Sequence, residues 1–202
     1  LGVARSISGK LWRARPVDER LAMALAQKLE LPEPVARVLA ARGIALEDAE
    51  TFLTPTLKAL LPDPAHLIDM APAVDRIVQA VNAGETIGIL GDYDVDGAAS
   101  AALLICWLRA LGVTPTLYVP DRIDEGYGPN EAAMRALAAE HDLIVCVDCG
   151  TLSHEPIAAA KGADVLVLDH HLGGEALPPA LAVVNPNRQD EDSDLTYLCA
   201  AG

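Results

Sequence analysis

The chain has 202 residues, about half of them apolar and only 3% aromatic, and carries a formal net charge of −14. That length fits one domain, or one domain with a small appendage, and the Ala-, Leu- and Val-rich apolar set suits helices packed on a buried sheet. The charge excludes a globally basic nucleic-acid binder, whose affinity comes from neutralised phosphates, but leaves room for carboxylates that hold cations against phosphates.

From the N-terminus, Arg20–Leu29 carries apolar residues at helical spacing (Leu21, Leu25, Leu29) and is ended by Pro32 and Pro34. Val35–Ala41 and Leu46–Leu53 read as two more short helices, and Pro55–Pro64 as a proline-punctuated linker. Pro72–Ala83 opens on proline and closes at Gly84, as helices tend to. After Gly84 the pattern changes. Strands are expected at Thr86–Leu90, Thr116–Val119, Leu143–Val147, Asp164–Leu168 and Leu181–Val184, and helices at Ala98–Leu111, Asn130–Ala139 and Ser153–Ala160. Strands alternating with helices predict an α/β fold, a parallel β-sheet flanked by helices on both faces, preceded by a small helical N-terminal region. The domains divide as residues 1–80 and 81–202.

No apolar run approaches the ~20 residues needed to span a bilayer, and nothing resembles a signal peptide. The four cysteines, Cys106, Cys146, Cys149 and Cys199, therefore read as reduced thiols of a cytoplasmic protein with no membrane association. The chain opens on Leu1 and stops at Ala200-Ala201-Gly202 with no closing element, so it reads as a fragment.

Three expected strand ends carry the chemistry. The first runs Gly91-Asp92-Tyr93-Asp94-Val95-Asp96-Gly97. Alternate residues of an extended chain project to one side, so Asp92, Asp94 and Asp96 are expected to converge, and like charges that close call for a cation. An EF-hand loop begins the same way, but it follows a helix and ends in a bidentate Glu at its twelfth position; here the motif follows a strand and that position is Leu103. The second end is Asp148, which as a lone residue could equally cap the next helix, although Thr151 and Ser153 compete for that role. The third is Asp169-His170-His171, where neighbouring imidazoles point apart, one toward a metal and one toward substrate. In a parallel sheet all three ends share one edge, where open α/β sheets place ligands. Mixed Asp and His donors suit Mg or transition metals, and one or two such ions there suit phosphoryl transfer.

Weaker signals surround these. Cys146 and Cys149 have redox or zinc-pair spacing but no second pair. Gly84, Gly88 and Gly91 make no dinucleotide fingerprint, and no Gly-x-Ser-x-Gly or Walker sequence occurs. His66, His141 and His154 read as surface residues. Arg122, with the loop Gly126-Tyr127-Gly128-Pro129-Asn130, is either an ordinary turn or a phosphate-contacting Arg with a stacking Tyr127.

Together these motifs resemble the DHH phosphoesterase superfamily, and within it the RecJ family. Gly91–Gly97, Val147–Thr151 and Asp169–His171 are similar to its first three motifs. The likeness extends to Ala41–Ile44, Leu61–Pro64, Glu125–Gly128, Asn185-Pro186 and Leu198–Gly202. The resemblance implies a metal-dependent exonuclease digesting single-stranded DNA from 5′ to 3′ in recombination and repair, with Mn²⁺ or Mg²⁺ as cofactor. It also implies single-strand-binding protein and a repair helicase as partners. By it, Asp94, Asp96, Asp148 and His170 are metal ligands, His171 faces the scissile phosphate, and Asp92 and Asp169 support them. The family's fourth motif and C-terminal domains are absent from this sequence, which leaves this fragment's own activity open. Two other readings stand beside this one: a DHH phosphodiesterase of short oligonucleotides or cyclic dinucleotides, and a non-catalytic replication scaffold of the same fold.

Overall fold

The computed structural model describes residues 4–202, which divide into two compact units, one ending at Pro62 and one running from Asp63 to Gly202. The first unit is helical: α1 (Glu19–Lys28), α2 (Glu33–Ala41), α3 (Ala49–Leu53) and α4 (Leu57–Leu60). α1 begins where Asp18 accepts the Arg20 and Leu21 amides, a side-chain cap. Leu25, Leu39 and small alanines between them form its core. α4 lies in the segment expected as linker; Thr56 Oγ1 starts this single turn by accepting the Ala59 amide.

The second unit holds α5 (Met70–Ala83), β1 (Ile87–Gly91), α6 (Val95–Ala110), β2 (Thr116–Tyr118), α7 (Glu131–Glu140), β3 (Leu143–Val147), α8 (His154–Ala158), β4 (Asp164–Leu168) and β5 (Ala182–Val184). All the strand pairs are parallel, in the order β2-β1-β3-β4-β5. α5, which the sequence groups with the N-terminal helices, packs on β5 in this unit; Ala73 and Ala80 carry its buried face. Gly84 ends α5 at φ +70°, a left-handed cap that glycine takes without strain.

Strand alternation splits the core in two. Ile87, Ile89, Leu143, Val145 and Leu166 face α5 and α6, with Ala101 and Leu108 among their neighbours. Leu90, Ile144, Cys146, Val165 and Val167 face the other way, toward Met134, Leu137 and Ile157 on α7 and α8. Every residue of β1 and β3 is buried, the mark of a strand covered on both faces. Leu143→Ala, at a fully buried site of a central strand, is expected to lower unfolding stability by roughly 2–5 kcal/mol, read from the midpoint shift in a denaturant titration.

His141 corrects the sequence reading of a surface residue. It is buried, its Nδ1 lies 2.9 Å from the Leu137 carbonyl, and its ring covers Gly88 so closely that a Cβ there would lie 3.2 Å away. The small residue on β1 makes room for the imidazole, which no periodicity in the sequence announces. No helix among the described residues is long and apolar enough to cross a membrane.

Candidate metal centre

The strand order determines where a ligand can sit. After β1 the chain crosses to β2 on one side, and it then returns to place β3 on β1's other side. Helices on both faces of such a sheet leave a crevice outside the carboxyl ends of β1 and β3, the point at which strand order reverses. Asp92 follows β1 and Asp148 follows β3, so the two carboxylates flank this crevice. Asp169 follows β4 next door.

Each acidic residue is held differently. Asp94 is the N-cap of α6; its Oδ1 accepts from the Asp96 and Gly97 amides at 2.8 and 3.0 Å. Those bonds, the one from Gly97 foremost, hold its carboxyl below the ordinary carboxylate value. Asp96 is thus in the first helical turn, and the chain is not extended through the motif as its alternation suggested. Convergence comes instead from a strand-to-helix turn, which Gly97 permits: a Cβ there would sit 2.5 Å from the Asp92 carbonyl oxygen. Asp96 turns toward Ala200 and Ala201, whose amides it accepts at 2.9 and 3.0 Å. Burial works to raise its carboxyl, and those two bonds outweigh it, so the net shift is downward.

Asp148 is the least satisfied group in the unit. It is 1% exposed and sits at φ +61°, a backbone region that costs most non-glycine residues energy and clusters at functional sites. Neither of its carboxylate oxygens has a hydrogen-bond partner, nor does Asp92 Oδ1. Burial, then the charges of Asp96 and Asp94, push the Asp148 carboxyl up to about 7; burial likewise raises Asp92. Asp148 does not cap α8, whose N-cap is Ser153.

Asp169 has the opposite character. Its oxygens accept from the Thr151, His170 and His171 amides at 3.0, 2.7 and 3.2 Å, and its Oδ1 lies 2.7 Å from His171 Nδ1. Burial acts to raise its carboxyl, but bonds from Thr151 and His171 prevail and lower it. For His171 burial acts to lower the ring's proton affinity and the bond to Asp169 outweighs this, a net rise. His170 Nε2 reaches Asp148 Oδ1 at 3.3 Å and Asp96 Oδ2 at 3.5 Å.

Two donor groups result among the described residues: Asp148 with His170 and His171, and Asp92 with Asp94 and Asp148, each with ligand atoms within 4.8 Å of one another. Asp148 belongs to both. Buried carboxylate oxygens without partners, beside imidazole nitrogens, fit a divalent cation on chemical grounds. Asp96 stands at the rim, next to His170 and outside both groups.

The Arg122–Tyr127 loop closes over this edge. Tyr127 OH lies 3.2 Å from the His171 ring nitrogens and donates to the Asp148 carbonyl at 3.1 Å. Arg122 lies over the Tyr93 ring, 5.2 Å from its centroid, and Tyr93 meets Tyr127 edge to face at 6.3 Å. Glu125 shapes the loop by accepting from Tyr118 OH, Asn130 Nδ2 and the Asp121 amide. Tyr93 is absent from the sequence-derived candidates; an aromatic placed between two carboxylates of one turn was its signal. Cys146 and Cys149 are buried free thiols packed in the core.

The family described as "DHH family, N-terminal domain" matches residues 86–202. The single-stranded-DNA-specific exonuclease RecJ of Bacillus subtilis is 36% identical over 88% of this chain and 23% of its own length. The Escherichia coli enzyme of the same name is 38% identical over 94% and 32%. The chain thus spans about a quarter to a third of the curated relatives it matches. Among solved structures, Thermus thermophilus RecJ in complex with Mn²⁺ superposes with a TM-score of 0.69 at 28% identity, over 92% of this chain and 26% of that one. A RecJ exonuclease bound to manganese gives 0.61 at 33% identity, over 67% and 35%.

Proposed function

This chain belongs to the DHH family, and from that premise we propose that it carries the metal-binding half of a RecJ-type exonuclease that hydrolyses phosphodiester bonds of single-stranded DNA, 5′ to 3′, in recombination and repair. The observation that carries the reading is Asp148: a buried, partnerless carboxylate common to an all-carboxylate group and an Asp–His group at one sheet edge. A buried charge of that kind is costly unless a cation compensates it.

On this reading Asp94, Asp148 and His170, joined by Asp96 from the rim beside His170, would hold one or two Mn²⁺ or Mg²⁺ ions, with Asp92, whose oxygen lies within the all-carboxylate group, and Asp169 in support. Bound there, such an ion lowers the pKa of a water and neutralises charge on a phosphoryl oxygen. The chain's own groups do the rest. Asp169 takes the Nδ1 side of His171, and the ring, with Tyr127 OH against it, is the group that faces the scissile phosphate on this reading. Tyr127 OH bonds both that ring and the Asp148 carbonyl, and so keeps the imidazole from swinging away. Arg122 offers a guanidinium to a phosphate, and Tyr93 with Tyr127 offers ring surface for a base, since stacking on aromatics is how single strands are gripped irrespective of sequence. Residues 81–202 supply this chemistry, and residues 1–80 form the helical region that precedes it in the chain. Cytoplasmic location, and single-strand-binding protein and a helicase as partners, follow from the same resemblance.

The test is a calorimetric titration of the chain with Mn²⁺ beside an Asp94→Ala/Asp148→Ala double variant, paired with chelation of the longer protein acting on labelled single strands. Wild type is expected to bind and the variant not to. Chelation is expected to abolish hydrolysis, with Mn²⁺ restoring it. Undiminished hydrolysis after exhaustive chelation would remove the metal from the reading.

A further inference from the structure

The histidine pair is held from behind by the chain that follows β5. Asn187 Nδ2 donates to the His170 carbonyl at 2.5 Å, and Asn185 Nδ2 donates to the His171 carbonyl at 2.9 Å. The Gly173 amide donates in return to the Asn187 carbonyl at 3.1 Å. A side chain at 173 would obstruct that approach, because its Cβ would lie 3.2 Å from the same oxygen. Asn185 is fully buried and every polar atom of its amide is used: Oδ1 accepts the Asn187 amide at 2.7 Å, and Nδ2 also donates to Thr151 Oγ1 at 2.7 Å. Arg188 anchors the segment beyond, donating to the Val183 carbonyl, to Asp69 and, through two nitrogens, to Asp190.

Both residues of the pair are therefore fixed on both sides. Asp169 Oδ1 accepts their amides, and the two asparagines donate to their carbonyls. A surface turn needs no such double restraint; an imidazole that must reach Asp148 at 3.3 Å, beside one held 2.7 Å from Asp169, does. Resting on the reading of Asp148 and His170 as metal ligands, we propose that Asn185 and Asn187 are positioning residues that direct the His170 ring at Asp148 and keep the His171 ring beside it on Asp169. β5 then has a use beyond packing, since it delivers both amides to the back of the centre.

Loss of a partner that only orients a metal ligand typically weakens metal binding roughly 10–100-fold. The experiment is a calorimetric Mn²⁺ titration of wild type, Asn187→Ala and Asn185→Ala, with a thermal melt of each metal-free protein. Asn187 is only partly buried and its side chain makes one bond, so Asn187→Ala is expected to fold and to melt within a few degrees of wild type. Its Mn²⁺ dissociation constant is expected to rise about tenfold or more. Affinity that falls while the melt barely moves separates a positioning role from a structural one. Asn187→Ala binding Mn²⁺ as tightly as wild type overturns the proposal, whatever its melting point. If Asn185→Ala fails to fold, Asn187→Ala alone decides. A wild type that binds no Mn²⁺ refutes the ligand assignment and the positioning role with it; a wild type that binds beside an unaltered Asn187→Ala refutes the positioning role alone.

Discussion

Asp148→Asn is expected to give a metal-free chain more stable than wild type at neutral pH, yet without Mn²⁺ binding. The carboxylate is 1% exposed with both oxygens unpartnered, and a buried polar group in that state costs roughly 1–3 kcal/mol. Asn removes the charge and keeps the size, and it tolerates the left-handed backbone found at this position. The pH dependence follows from the raised carboxyl. With its folded value near 7, the group binds a proton more tightly folded than unfolded. The folded chain therefore holds the extra proton between the ordinary carboxylate value and about 7, and stability falls as pH rises through that window. Melts in chelator at the two ends of the window are the measurement: wild type should lose ground to the variant as pH rises. Mn²⁺ affinity should drop by more than the ~100-fold expected for a merely orienting partner. A variant that melts lower than wild type at neutral pH would mean that the approach of His170 Nε2, 3.3 Å from Asp148 Oδ1, outweighs the cost of burying the carboxylate.

Asp169→Ala is expected to do the reverse to the fold. This carboxylate, one strand away and equally buried, accepts three amides and faces a histidine nitrogen. Its removal leaves the Thr151, His170 and His171 amides without their acceptor. At about 1–3 kcal/mol for each buried group so stranded, with partial relief from water at the exposed His171, the loss should be on the order of 3 kcal/mol. That is a large share of the total stability of an ordinary domain. Denaturant unfolding of metal-free Asp169→Ala and Asp148→Asn side by side makes the comparison, with opposite signs expected. Shifts of the same sign would refute the division of these carboxylates into one without hydrogen bonds and one that serves as a structural hub.

Neither distinction can be read from the sequence, where Asp148 and Asp169 are both an Asp at the end of an apolar strand. What the sequence does carry is the strand ends themselves. Runs such as Leu143–Val147 and Asp164–Leu168 are apolar throughout because both faces are covered, and these two strands fall where their pattern places them. The parallel sheet follows from the alternation with helices, and so does the gathering of Asp92, Asp148 and His170 at one edge. The order β2-β1-β3-β4-β5 does not follow, because which neighbour a strand chooses depends on tertiary packing. The start of α6 was hidden by its own chemistry. Three alternating aspartates look extended, yet the second is a cap and the third a helical residue, since Asp94 accepts two amides and nucleates the turn. Tyr93, Asn185 and Asn187 were hidden for another reason. They act through contacts with residues distant in the chain, and no local spacing encodes these.

Gly97 bears on which ions the centre can accept. The first turn of α6 rests directly on the Asp92 backbone, with no room for even a methyl group between them. The backbone from which Asp92, Asp94 and Asp96 project is thus held by a main-chain contact. Outward residues of α6 such as Leu103 and Trp107 lie away from that contact. Preference among cations of different radius is, on this account, inherited with the backbone, and drift in the helix's exposed sequence leaves it untouched.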